Sequence, residues 1–204
     1  MCIRDRFNIM TFITLILIIL VGFKIYNDSD HFQLKCIISS VDGEKYCVRD
    51  RKKLKESADH LAKVSVSLKK IVDECKNKYP DLPITKKLRE GFNPNKIVET
   101  LPNSELTAYS ENKGEKLAFC LETEKGNNKL IDVNTLTFVA IHELAHIGSE
   151  QIGHGDEFWT NFKFLLQRAV EIKVYDPIDY KNKPKRYCSM DIHDNPLYLS
   201  LIHI

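Results

Sequence analysis

No charge of either sign dominates this chain: thirty Lys and Arg against twenty-eight Asp and Glu leave +2 over 204 residues. Nor do the basic residues interleave with aromatics in a stripe, so the electrostatics select no nucleic-acid partner, and none is expected. Internal repeats and low-complexity tracts are missing as well. With 43% hydrophobic and 28% charged residues, the composition is that of one ordinary globular domain with a real core. The cysteines do not form a zinc-ribbon pattern: beyond Cys2, the spacing of Cys36, Cys47, Cys75, Cys120 and Cys188 matches none. A local Cys36–Cys47 disulfide meets a geometric objection. A two-residue turn at Asp42-Gly43 sets Cys47 opposite Ile38 and leaves Cys36 a diagonal neighbour, so reduced, partly buried thiols are the expectation.

The two ends are set aside from fold reasoning. MCIRDR can be encoded by ATGTGTATAAGAGACAG plus one base, and LSLIHI by the reverse complement of the same stretch, which makes residues 1–6 and 199–204 translations of a sequencing adapter. Inside them, residues 7–23 (FNIMTFITLILIILVGF) are nearly all apolar, and Lys24 and Tyr26 follow as an interfacial cation and aromatic. No A-x-A-like site of small residues follows the run. Residues 7–26 therefore read as a single-pass membrane anchor, with a signal peptide and secretion as the alternative and a buried core helix as the third reading.

Residues 34–48 carry the apolar and turn residues of a hairpin. A long helix is predicted over 49–78, with Leu54, Ala58, Leu61, Val64, Leu68, Ile71, Val72 and Cys75 on one stripe and a lysine-rich solvated face opposite. Pro80 and Pro83 end it, and short helical pieces are predicted over 86–89 and 95–100. A second hairpin is predicted over 106–121, from TAYS through the turn ENKGE to LAFCL. Helices are then predicted over 134–149, capped by Asn134, and over 156–173, with an irregular segment beyond Pro177.

The motif IHELAH at 141–146 carries the chemistry. Histidines four apart on a helix lie on one face a turn apart, so the imidazoles of His142 and His146 can reach one metal ion. Glu143 is rotated away from direct ligation and can accept a proton from the water such a metal activates. The flanking Phe138, Val139, Leu144 and Ala145 mark a buried helix, on which these polar groups are costly without a metal or partners. A zinc site of this kind needs a third protein ligand and an open fourth position. His154 supplies it, brought back over the helix by the reversal that Gly148 and Gly153 permit; Glu150 or Glu157 are the next candidates.

The stretch HELAHIGSEQIGHGDEFW resembles the SprT-like and WLM-type zinc metallopeptidases, which place a histidine-glycine or histidine-aspartate step ahead of an aromatic after HExxH. The likeness spans about residues 106–170. It implies zinc on His142, His146 and His154, catalysis by Glu143, and Phe158 and Trp159 packed behind the third ligand. It also implies that the strand before the motif helix, here LAFCL, pairs with an extended peptide. Met190 is a candidate methionine turn, with core filling as the plainer role, and Tyr109 and His193 are candidate oxyanion donors against ordinary surface roles. DNA-acting members differ in being soluble and carrying nucleic-acid or ubiquitin-type binding regions, whereas this chain has an apolar leader. The expectation is a compact α+β zincin-like domain over 27–198, tethered by one N-terminal transmembrane helix and hydrolysing a polypeptide substrate with Zn2+. The rival is a zinc-stabilised, non-catalytic binding module on the same tether, which has no need of a glutamate at the second motif position.

Overall fold

The computed structural model describes residues 3–198. The adapter reading of the ends therefore falls largely outside the described residues, with residues 3–6 continuing the first helix, α1 (Ile3–Asp28). Within α1, Ile9–Asn27 have a mean hydropathy of 2.4 and bury none of that surface against protein. Length and composition make it a candidate membrane span or a signal sequence. A single turn, α2 (Asp30–Gln33), joins it to the first strand. Gln33 Nε2 donates to the Tyr26 carbonyl at 3.1 Å across that joint.

A five-stranded sheet follows the order β1 (Leu34–Ile38), β2 (Lys45–Arg49), β3 (Ile97–Glu99), β5 (Lys116–Phe119), β4 (Ala108–Glu111). The outer pairs β1–β2 and β4–β5 are antiparallel, and β3 runs parallel to both β2 and β5. The first hairpin corrects the expected turn. Its loop covers residues 39–44 and is folded onto Asp59, which accepts from Ser39 Oγ at 2.6 Å and from the Ser40 amide at 2.9 Å. Ile38 therefore faces Lys45, and Cys36 faces Cys47 directly. The two form a disulfide with Cα atoms 3.9 Å apart, so the expectation of reduced thiols fails at this pair. A second disulfide joins Cys120 to Cys188, and among the described residues Cys75 is the free, buried cysteine.

The long helix α3 (Leu54–Lys78) buries the expected stripe from Ala58 to Cys75. It begins at Leu54 rather than residue 49 because Arg49 and Arg51 are drawn into a buried ionic cluster with Glu99 and Glu122. The same cluster turns the predicted helical piece at 95–100 into β3. The Glu99 side chain points inward to accept the Arg49 amide at 2.8 Å and to meet Arg51 at 2.6 Å, a placement that extended backbone supplies.

Helix α4 (Pro83–Gly91), α3 and α6 (Asp156–Glu171) all pack around α5 (Val133–Gly148), the central helix. Asp132, rather than Asn134, caps α5: its carboxylate accepts from the Thr135 amide at 2.8 Å. Asn134 instead exchanges two hydrogen bonds with the Asp176 backbone, fixing the return from α6. At the other end of α5, Gly91 and Gly114 meet so closely that a Cβ on either would collide with the backbone of the other's loop and with Ile147. The segment expected to be irregular contains a hairpin, β6 (Lys185–Tyr187) and β7 (Met190–Ile192). Its turn residues Cys188 and Ser189 both have positive φ, 48° and 68°, held by the disulfide and by amide bonds to the Glu122 and Thr123 carbonyls. A non-glycine pair in such a turn gives no sequence signal for it.

Candidate metal centre

The motif helix α5 is buried along most of its length, and its spacing of four brings His142 and His146 to one face. The chain then reverses through Ser149 and the loop to Gly155, returning His154 to that face. His142 Nε2 lies 3.2 Å from His146 Nε2 and 3.0 Å from His154 Nε2. All three candidate ligand atoms fall within 4.8 Å of one another. The ring of Phe158, on the first turn of α6, backs the whole group, with centroids 4.4 to 4.8 Å from the three imidazoles. Phe158 is thus the packing residue expected there. Trp159, in contrast, stands at the rim, 6.0 Å from the His154 ring.

The donor set fits a cation. A neutral imidazole has one N–H and one lone pair, so His142 Nε2 cannot complete hydrogen bonds to two neighbouring Nε2 atoms that themselves approach each other. A tetrahedral ion with nitrogen ligands at 2.0–2.1 Å would space those nitrogens about 3.3 Å apart, close to the 3.2 and 3.0 Å from His142 to the other two. Burial, followed by the neighbouring histidines, holds His142 down to about 3. Burial, then His154 and Lys113, holds His146 down to about 4. Both rings are therefore neutral at physiological pH, the form that ligates metal.

Glu143 is 7% exposed, faces the same cleft and accepts no hydrogen bond among the described residues. Burial alone pushes its carboxyl up to about 7. The alternative ligands are otherwise engaged: Glu150 pairs with Lys87, and Glu157 accepts the Glu150 and Gln151 amides. Neither belongs to the group of converging ligand atoms.

The site opens into a cavity of about 760 Å³ walled by the β4 edge, the loop after α5, α6 and the β6–β7 hairpin. Here the expected peptide-pairing strand is corrected. The first three residues of LAFCL lie in β5, whose two sides are taken by β3 and β4, so β4 is the edge strand on the cleft. Because the Cys120 amide bonds to the Thr107 carbonyl, the antiparallel alternation turns the backbone groups of Ala108 and Ser110 away from β5. Tyr109 also lines the cavity, whereas His193 is exposed and does not. Met190 is neither core filling nor a turn beneath the histidines; it is half-exposed on the opposite wall, with Thr107 Oγ1 3.7 Å from its sulfur. Sequence reasoning gave Met190 other roles and missed the hairpin that makes this wall, including Tyr187, which is buried and donates to the Thr107 carbonyl at 2.9 Å.

Residues 51–195 match the family model described as WLM domain. An uncharacterized protein of Acanthamoeba polyphaga mimivirus is 25% identical over 163 residues, covering 78% of this chain and 82% of that protein. An uncharacterized protein of Invertebrate iridescent virus 3 is 39% identical over 101 residues, 48% of this chain and 57% of its own. Among solved structures, that of Wss1 from Saccharomyces cerevisiae is similar at 17% identity and a TM-score of 0.34, covering 59% of this chain and 76% of that one.

Proposed function

The chain belongs to the WLM-domain family, and from that premise we propose that it is a zinc-dependent peptidase of zincin type. His142, His146 and His154 hold the metal and Glu143 is the general base. The observation that carries this reading is the convergence of three imidazole nitrogens, beside a buried carboxylate that accepts no hydrogen bond among the described residues, at the floor of one open cleft.

Zinc held there would polarise a peptide carbonyl and lower the pKa of water towards about 7. Glu143 takes the proton from the attacking water as the carbon–oxygen bond forms, and delivers it to the leaving nitrogen as the carbon–nitrogen bond breaks. The carboxylate is regenerated in each turnover. A nearby dication favours the ionised carboxylate, offsetting the burial that raises Glu143 to about 7. The outward backbone groups of Ala108 and Ser110 give an extended substrate a strand to pair with, and that pairing holds its peptide bond across the histidines. Helix α1 anchors the domain to a membrane, and the full chain should resist alkaline carbonate extraction.

Elemental analysis of the purified chain, with a peptide-library cleavage assay, tests the reading. One zinc per chain is expected, with cleavage lost to a chelator and restored by zinc. Stoichiometric zinc with no cleavage of any peptide would instead select the non-catalytic binding module.

A further inference from the structure

Large apolar side chains left in water mark surfaces that meet a partner when they cluster. Four of them ring the cavity above the histidines: Leu106 is 57% exposed, Ile152 95%, Trp159 39% and Met190 55%. They arrive from four separate segments, ahead of β4, in the loop after α5, on α6 and on β7, so no single helix or strand pattern produces the ring. Beneath them, the buried rings of Phe138 and Phe162 continue the apolar lining inward.

The charged groups of the rim are mostly engaged elsewhere. Lys113 donates to the Ser149 and Glu150 carbonyls, and Asp191 pairs with Arg186 at 3.1 Å, leaving the exposed Asp194. Charge recognition is therefore a weak organiser of this cleft. A bilayer is a poor occupant too, because the ring encloses a cavity flanked by a strand edge rather than crowning a convex face. A narrow chain with apolar side chains fits both features, since alternate residues of an extended segment point to opposite sides.

We infer that the cleft selects extended polypeptide segments carrying large apolar side chains, and that Leu106, Ile152, Trp159 and Met190 are the residues that select them. Such segments are the ones a folded protein keeps inside, so the exposed interior of a misfolded or partly unfolded chain is the substrate class. For cleavage, the inference rests on the peptidase reading; for binding, it stands alone.

Trp159 is the sole tryptophan of the chain, so its emission reports occupancy of the cleft whether or not a peptide is cut. The full chain in detergent is titrated with two synthetic peptides of equal length and charge, one carrying Phe and Leu at alternate positions and one carrying Ser and Asn there. The apolar peptide is expected to bind at least about tenfold more tightly and to shift the emission. Met190→Lys and Ile152→Lys should each erase most of that preference while zinc content stays at the parent level. Equal affinity for the two peptides overturns the inference, as does quenching of Trp159 by brominated phosphatidylcholine when the chain is placed in vesicles. A chain that prefers the apolar peptide yet cuts neither sinks the peptidase reading and upholds the selectivity. One that cuts both with equal kcat/KM does the reverse.

Discussion

Two clusters of ionisable groups lie wholly or partly buried in this domain, and they are built on opposite terms. In the first, Glu99 and Glu122 sit among Arg49 and Arg51 with every carboxylate oxygen engaged. Glu99 takes the Arg49 amide at 2.8 Å and the Arg51 guanidinium at 2.6 Å. Glu122 takes Arg51 at 2.8 Å and the Gly126 amide at 2.7 Å. Arg49 adds bonds to the Thr100 and Leu101 carbonyls. Burial still keeps Glu99 above its ordinary range, outweighing the pull of the arginines. The second cluster, His142, His146, His154 and Glu143, is left without opposite charge among the described residues, and burial shifts Glu143, His142 and His146 towards their neutral forms. Full pairing holds strands in register; incomplete pairing leaves capacity for a cation and a proton.

The comparison breaks first, and most completely, at the metal. His142→Ala or His146→Ala is expected to abolish zinc binding and His154→Ala to weaken it strongly, whereas Arg51→Met should leave zinc stoichiometric in the folded fraction. Elemental analysis after gel filtration checks both halves. Next comes catalysis: Glu143→Gln should retain zinc and lower cleavage by roughly 10²- to 10⁴-fold, with stability in chelator equal to the parent or higher. Activity equal to the parent removes Glu143 from the mechanism; metal analysis must accompany the kinetics, because a collapsed site would mimic a lost base. Arg51→Met inverts that pattern. Leaving Glu99 and Glu122 short of a partner should cost about 3–5 kcal/mol in urea unfolding, with cleavage per folded molecule unchanged.

The smallest effect is a pH slope. His142 titrates near 3 in the fold against about 6.5 unfolded, so its contribution to the metal-free chain is fully present above pH 6.5. It is lost as pH falls through 3, at up to about 1.4 kcal/mol per pH unit. Glu143 runs the other way: its folded value of about 7 lies above the unfolded 4.5, so its contribution is present below pH 4.5 and lost as pH rises through 7. Unfolding midpoints of parent and His142→Phe, taken in chelator from pH 4 to 8, isolate the first term. A parent-minus-variant difference that is flat below pH 6.5 would show that His142 is not desolvated.

The helical half of the site was legible because its information is local. The spacing of His142 and His146, Gly153 in the reversing loop and the apolar stripe of α3 all lie within single segments; Gly148, expected to serve the same reversal, instead ends α5 against Ile84. What stayed hidden depends on partners far along the chain. Strand β3 has three residues, too few for a period to register, and the burial of its inward Glu99 depends on Arg51, far away in sequence. The edge position belongs to β4 rather than to LAFCL because strand order, not strand sequence, decides which strand is an edge. The register that brings Cys36 opposite Cys47 follows from Asp59, on another element, folding the loop inward. The cleft's far wall turns on Cys188 and Ser189, residues that rarely announce a tight turn.

The contact of Gly91 with Gly114 has a consequence for how such a chain can vary. Backbone lies against backbone there, with Ile147 filling the remaining side, so neither position has room for a side chain. Gly114 also has φ of +108°, which bars other residues on conformational grounds. Between them they seat the β4–β5 turn on the end of the motif helix, where Lys113 reaches the Ser149 and Glu150 carbonyls. The height of the edge strand above the histidines is thus set by two hydrogen atoms well away from any ligand. Related chains should vary freely in the loops on either side of this contact while keeping both glycines. An alanine at either one would act as a spacer, opening the cleft without touching a single residue that lines its floor.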